Sequence, residues 1–164
     1  MIKRSFKLAC LAALMPAALA VHADAIDDRV DDLLGRMSIE QKVGQMTQVN
    51  LGVVIDTEVE THVQVDPKRL AEAVNRYQVG SILNSTSRAL SLDEWHDVIR
   101  TIQDAALKND PAVPGIYGID SIHGATYVRG STLFPHNIGL PAARDPALVK
   151  RAAKVTAMET RAAG

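Results

Sequence analysis

The chain has 164 residues, of which 47% are hydrophobic and 23% charged, with a formal net charge of −1. This is the composition of a globular protein, and it excludes a disordered or collagen-like chain. A balance this close to neutral also lacks the basic excess that a nucleic-acid partner requires.

The first residues are set apart from the rest. Lys3, Arg4 and Lys7 precede an apolar run from Leu8 to Ala20 that contains Pro16. Small-residue cleavage sites follow at Ala18-Leu19-Ala20 and Ala23-Asp24-Ala25. This pattern reads as a secretory signal peptide over residues 1–25. The apolar run is too short to cross a bilayer comfortably, so no membrane association is expected once the signal is removed. An uncleaved anchor is the alternative. The protein is expected to be exported, either periplasmic or secreted. Cys10 is the only cysteine, and it falls within the signal. The mature chain is therefore expected to hold no disulfide, cysteine metal ligand or cysteine nucleophile. Cleavage after Ala20 removes three of 18 basic residues and no acid, leaving 15 against 19 and a net charge of −4.

Ile26, Val30, Leu33, Leu34 and Met37 recur at helical spacing, which predicts an amphipathic helix whose aspartates, Asp27, Asp28, Asp31 and Asp32, form a solvated face. Ser38 and Gln41 have capping-box spacing. Ile39, Val43 and Met46 extend an apolar stripe into a second short helix. Asn50 to Val65 reads as loop with some extended structure. At Asp66-Pro67 an N-cap acid meets a first-turn proline, and the following helix is expected to bury Leu70, Val74 and Tyr77. Val79 to Leu83 is a short apolar strand. Ser91 and Glu94 form another capping box, opening a long helix to about Lys108 defined by Leu92, Trp95, Ile99, Ile102 and Ala106, with Trp95 expected in the core. A second strand runs from Gly115 to Ile119, and a loop rich in Gly and Pro covers 121–144. Asp145-Pro146 then starts a last helix through Leu148, Ala152 and Val155.

Short apolar strands alternating with amphipathic helices indicate an α/β chain built of parallel βα units. Two visible strands make neither a closed barrel nor a stable open sheet. Residues 26–164 therefore read as the N-terminal portion of a longer protein.

Asp120 is the leading candidate for chemistry, because ligands bind where parallel strands end and this carboxylate closes a strand. A carboxylate there can accept hydrogen bonds from two hydroxyls of a polar substrate. It can equally cap the backbone of the turn that follows. His123 has the chemistry of a general base, a metal ligand or a sugar-binding group, and also of a histidine packed beneath a loop. His136 is expected to fix its loop. Arg129 suits an anion or a substrate hydroxyl, with a salt-bridged loop arginine as the alternative. No HxH, HExxH or clustered His/Asp/Glu pattern accompanies these residues, so no metal is expected. No GxGxxG or Walker spacing calls for a nucleotide, and no cofactor is expected. No G-x-S-x-G elbow is present for acyl transfer.

The run Tyr117-Gly118-Ile119-Asp120-Ser121-Ile122-His123-Gly124 resembles the N-terminal barrel domain of glycoside hydrolase family 3. So do Ser131-Thr132-Leu133-Phe134-Pro135-His136-Asn137-Ile138-Gly139-Leu140 and Ala143-Arg144-Asp145-Pro146. The earlier run from Met37 to Met46 is similar to that family's opening helix. The resemblance implies the N-terminal part of a (β/α)8 TIM-like barrel, incomplete over these residues. It also implies a retaining enzyme of the β-glucosidase or exo-β-glucanase type acting on oligosaccharides or β-glucosides. Retention needs a nucleophile and an acid/base carboxyl about 5–5.5 Å apart. The family carries both in later motifs that do not occur here, so no catalytic residue is expected within these 164. The family ligand that maps onto the chain is Asp120, which by resemblance binds hydroxyls of the nonreducing-end sugar in the −1 subsite. The motif's form favours the glucosidase branch over the N-acetylhexosaminidase and xylosidase branches. Two rival readings are a metal-dependent barrel hydrolase using His123 and a noncatalytic sugar-binding piece.

Overall fold

A computed structural model describes residues 25–56 and 62–164. The signal peptide read over residues 1–25 lies outside them, save Ala25. The chain divides into two units, Met1–Ile39 and Glu40–Gly164. The first contributes helix α1, residues 25–36. The expected helix is present, with Arg36 reaching back one turn to Asp32 at 3.7 Å. Its apolar stripe is not buried, since Ile26, Val30 and Leu34 are all exposed.

The second unit alternates helices with three short parallel strands. In chain order they are α2 (Ile39–Gln45), β1 (Gln48–Asn50), α3 (Pro67–Leu70, continuing as a π-helix over Ala71–Arg76), β2 (Ser81–Leu83), α4 (Leu92–Ala106), β3 (Ile116–Gly118) and α5 (Pro146–Ala162). The sheet order is β1-β2-β3. Gln48 stands opposite Ser81, which stands opposite Ile116, and Asn50, Leu83 and Gly118 align at the far end. Parallel pairing puts all three C-terminal ends on one edge of the sheet.

The second and third strands are those expected from the sequence, β2 starting two residues later and β3 shorter by one residue at each end. β1 corrects the reading of two strands. Its three residues, Gln48-Val49-Asn50, place one apolar residue between two polar ones, an alternation too short to mark a strand. Pairing with β2 holds them extended.

Helix starts follow the predicted caps. Asp66 accepts from the amides of Lys68 and Arg69, and these bonds, the Arg69 amide foremost, hold its carboxyl below the usual range. Ser91 and Glu94 complete a reciprocal capping box on α4. Asp145 accepts from the Leu148 amide at the head of α5.

Two further expectations fail for a shared reason, which is backbone geometry overriding side-chain pattern. Tyr77 is exposed rather than buried. The helix widens to i→i+5 bonding before it, with the Tyr77 amide donating to Glu72 O. That wider turn rotates Tyr77 off the Leu70–Val74 stripe, and its ring lies beneath the Arg76 guanidinium instead. On α2, Ile39, Val43 and Met46 are exposed, while Gly44 is buried. This helix seats by backbone contact. A Cβ on Gly44 would lie 2.1 Å from Tyr77 O and 2.8 Å from Gln78 O.

The core has two parts. One gathers Leu51, Val54, Leu70, Val74, Ile82, Val98 and Ile102 against β2 and α4. The other surrounds Trp95 with Leu90, Ala125, Tyr127, Val128 and Ala163. Trp95 meets Tyr117 and Tyr127 edge-on, with ring centroids 5.7 and 5.8 Å away.

Gly44→Ala is expected to cost about 2–3 kcal/mol, because its methyl meets backbone carbonyls rather than a yielding side chain. Urea unfolding checks this, and a variant within about 0.5 kcal/mol of wild type would show that α2 is not seated on the Tyr77–Gln78 turn.

Candidate functional site

The C-terminal edge of the sheet carries polar side chains in sequence order: Asn50 ends β1, Asn84 follows β2, and Asp120 follows β3. The first two are engaged in holding turns. Asn50 Oδ1 accepts from the Gly52 amide at 2.9 Å. Asn84 sits at a left-handed φ of 82°, accepts from the Ser85 amide through its own Oδ1, and takes the Tyr117 hydroxyl on its carbonyl. Burial pushes the Tyr117 phenol well above the ordinary tyrosine value.

Asp120 differs. It is exposed, and its carboxyl takes no hydrogen bond or ion pair from any described residue. A turn-capping aspartate would show its oxygens on neighbouring amides, and none is there. The turn after it is instead closed by other groups. Phe134 N donates to His123 O at 2.8 Å, Asn137 N to Ile122 O at 3.0 Å, and Asn137 Nδ2 to Ser121 O at 2.9 Å. Gly124 sits beneath this turn at a φ of +88°, where a Cβ would lie 2.4 Å from Thr132 O. The glycine ending the motif is thus required by both backbone conformation and space.

His123 and His136 come together, their rings perpendicular and 4.8 Å apart between centroids. His136 Nδ1 accepts from the Ile138 amide at 3.2 Å, so this histidine fixes its loop as expected. Among the described residues no three side chains of His, Cys, Asp or Glu gather as a metal-holding group.

Arg129 is drawn to Glu94 Oε2 at 3.7 Å, which is the salt-bridged alternative. Glu94 also holds Arg88 in a tight ion pair and accepts from the Ser91 amide at 2.8 Å. Arg88 and these bonds depress the Glu94 carboxyl from 4.5 to about 2. The spacing of Ser91 and Glu94 revealed the cap. It did not reveal that one carboxylate ties the loop after β2 to the loop after β3, because Arg88 and Arg129 meet it only through the fold. Arg88 also lines a cleft of about 600 Å³ beside the ends of β1 and β2, together with Asn50, Asp56, His62, Ser85 and Thr86.

The glycosyl hydrolase family 3 N-terminal domain model matches residues 38–164. The chain belongs to glycoside hydrolase family 3. It is 40% identical over 149 residues to the lysosomal beta glucosidase of Dictyostelium discoideum, covering 85% of this chain and 18% of that protein. It is 27% identical over 138 residues to the periplasmic beta-glucosidase of Salmonella typhimurium, covering 83% of this chain and 15% of that protein. A solved family 3 beta-N-acetylglucosaminidase from Paenibacillus sp. str. FPU-7 superposes with a TM-score of 0.61 at 25% identity, over 77% of this chain and 22% of that one. The chain thus spans about a fifth of the length of these relatives. Its α/β fold is that of a family 3 N-terminal domain, a TIM-barrel-type architecture. The described residues supply three parallel strands of it.

Because the folded-state Glu94 carboxyl is depressed, its stabilisation is present above the unfolded value of 4.5 and is lost as pH falls toward about 2. Glu94→Gln, which loses the ion pairs and weakens the cap, is expected to be about 1–2 kcal/mol less stable at pH 7. Thermal melts of both proteins check this. The gap between them should shrink steadily below pH 4.5, and a gap that stays constant down to pH 2.5 would rule out Glu94 as the titrating group.

Proposed function

We infer that this chain belongs to an exported retaining β-glucosidase that releases glucose from the nonreducing end of β-glucosides or β-glucans. In this reading Asp120 holds the glucose ring. The observation that carries it is the Asp120 carboxyl at the C-terminal end of β3, exposed and taking no bond from a described residue, in a chain of a glycoside hydrolase family. A carboxylate left free at that edge has its acceptor sites available for two adjacent hydroxyls.

Retaining hydrolysis proceeds by attack of one carboxylate on the anomeric carbon while a second carboxyl protonates the departing oxygen. Both are expected in sequence beyond Gly164. Asp120 does not exchange a covalent bond with the sugar. Its hydrogen bonds fix the ring relative to the nucleophile and strengthen as positive charge develops at the anomeric centre. Glucose as the released sugar is supported by the names of the Dictyostelium and Salmonella relatives. Export is supported by the N-terminal signal pattern and by the periplasmic designation of the Salmonella protein.

In the full-length enzyme, Asp120→Ala is expected to lower kcat/KM on an aryl β-glucoside by about a hundredfold, the loss of two charge-assisted hydrogen bonds, without changing the melting temperature. Unchanged kinetics would remove Asp120 from the site. An aryl N-acetyl-β-glucosaminide assayed in parallel decides the branch, and faster turnover of that substrate would overturn the glucosidase reading. Residues 26–164 alone are expected to hydrolyse neither.

A further inference from the structure

The three residues after Asp120 are each anchored, although the Asp120 carboxyl takes no bond from a described residue. The backbone carbonyls of Ser121, Ile122 and His123 all accept hydrogen bonds from the 134–137 segment. The Ser121 hydroxyl has a separate anchor. It lies 3.0 Å from Tyr127 Oη, which lies 2.7 Å from Thr160 Oγ1 on α5. Tyr127 is only 6% exposed. Its ring packs edge-on against Trp95, and its main-chain carbonyl accepts from Trp95 Nε1 at 2.9 Å and from the Leu90 amide at 2.9 Å. The phenol oxygen is therefore delivered to one place by a rigid surround.

A buried hydroxyl needs a partner, and Thr160 alone would satisfy Tyr127. The second contact, to the residue adjoining Asp120, is not explained by that need. It makes sense if the turn must be fixed before substrate arrives. Ordering a mobile turn on binding carries a free-energy cost that falls on affinity or rate. We propose that Tyr127, through Ser121 and with Thr160 behind it, is a positioning residue that aims the Asp120 carboxylate. Asn137, bonded to both Ser121 O and Ile122 O, supports the same turn from the other side. Tyr127 touches no substrate in this arrangement. The proposal rests on Asp120 being a sugar-holding residue.

A double-mutant cycle in the full-length enzyme tests it. Tyr127→Phe keeps the ring packed on Trp95 and removes the relay. It is expected to lower kcat/KM on an aryl β-glucoside about tenfold, the worth of roughly one hydrogen bond. In an Asp120→Ala background the same change is expected to have no further effect, because Tyr127 acts only through that carboxylate. Equal loss in both backgrounds, or a lower melting temperature with kcat/KM unchanged, would reduce Tyr127 to a structural residue and overturn the proposal. An Asp120→Ala enzyme as active as wild type would instead overturn the sugar-holding reading on which it rests. Ser121→Ala cuts the relay from its half-buried end and serves if Tyr127→Phe does not fold. It should show the same dependence on Asp120, and additive losses there would count equally against the proposal.

Discussion

The main-chain carbonyl of Tyr127 accepts from both Trp95 Nε1 and the Leu90 amide, and the C-terminal edge of the sheet depends on that pair of bonds. Three-residue strands give few ladder bonds, so they cannot fix the relative height of the segments that follow them. The Tyr127 carbonyl does this from outside the ladder. It joins the segment after β2, through Leu90, to the segment after β3 and to the side of α4, through Trp95. A return bond from the Arg129 amide to Leu90 O at 2.7 Å closes the bridge. Because Trp95 is fully packed between Tyr117 and Tyr127, the indole cannot leave without opening the second core cluster.

On this frame two carboxylates take opposite roles. Glu94 is committed to structure, holding Arg88 and Arg129 and capping α4, and Arg88 with the Ser91 bonds keeps its carboxyl below the usual range. Asp120 takes no hydrogen bond or ion pair from a described residue. Among the described residues, polar partners engage Glu94, Asn50 and Asn84 and none engages the exposed Asp120 carboxyl, which separates the groups that build the edge from the one that faces outward. The same economy of contact places the two histidines of the neighbouring motifs against each other and leaves His136 bonded to its own loop.

Much of this was legible in the sequence where a local rule governs. The caps at Asp66, Ser91 and Asp145, the stripe that buries Trp95 and Ile102, and the two more apolar strands all follow from spacing and residue type. β1 was not, because Gln48-Val49-Asn50 becomes a strand only through its neighbour. Tyr77 and the α2 stripe were misplaced because a π turn and a glycine-backbone contact decide which face is buried, and neither is encoded in apolar periodicity. At the candidate site, Asp120, His123, His136 and Arg129 stand out as residue types in a motif. The partners that decide what they do, namely Glu94 for Arg129 and Tyr127 for the turn after Asp120, lie 6 to 35 residues away in sequence and meet only in the fold.

The most direct measurement is a crystal structure of the full-length protein with glucose bound. The result consistent with a sugar-holding edge has both Asp120 carboxylate oxygens about 2.5–3.0 Å from two adjacent ring hydroxyls, with the 121–123 turn unmoved. Glucose bound elsewhere, with Asp120 in solvent or folded back onto its own turn, would contradict it.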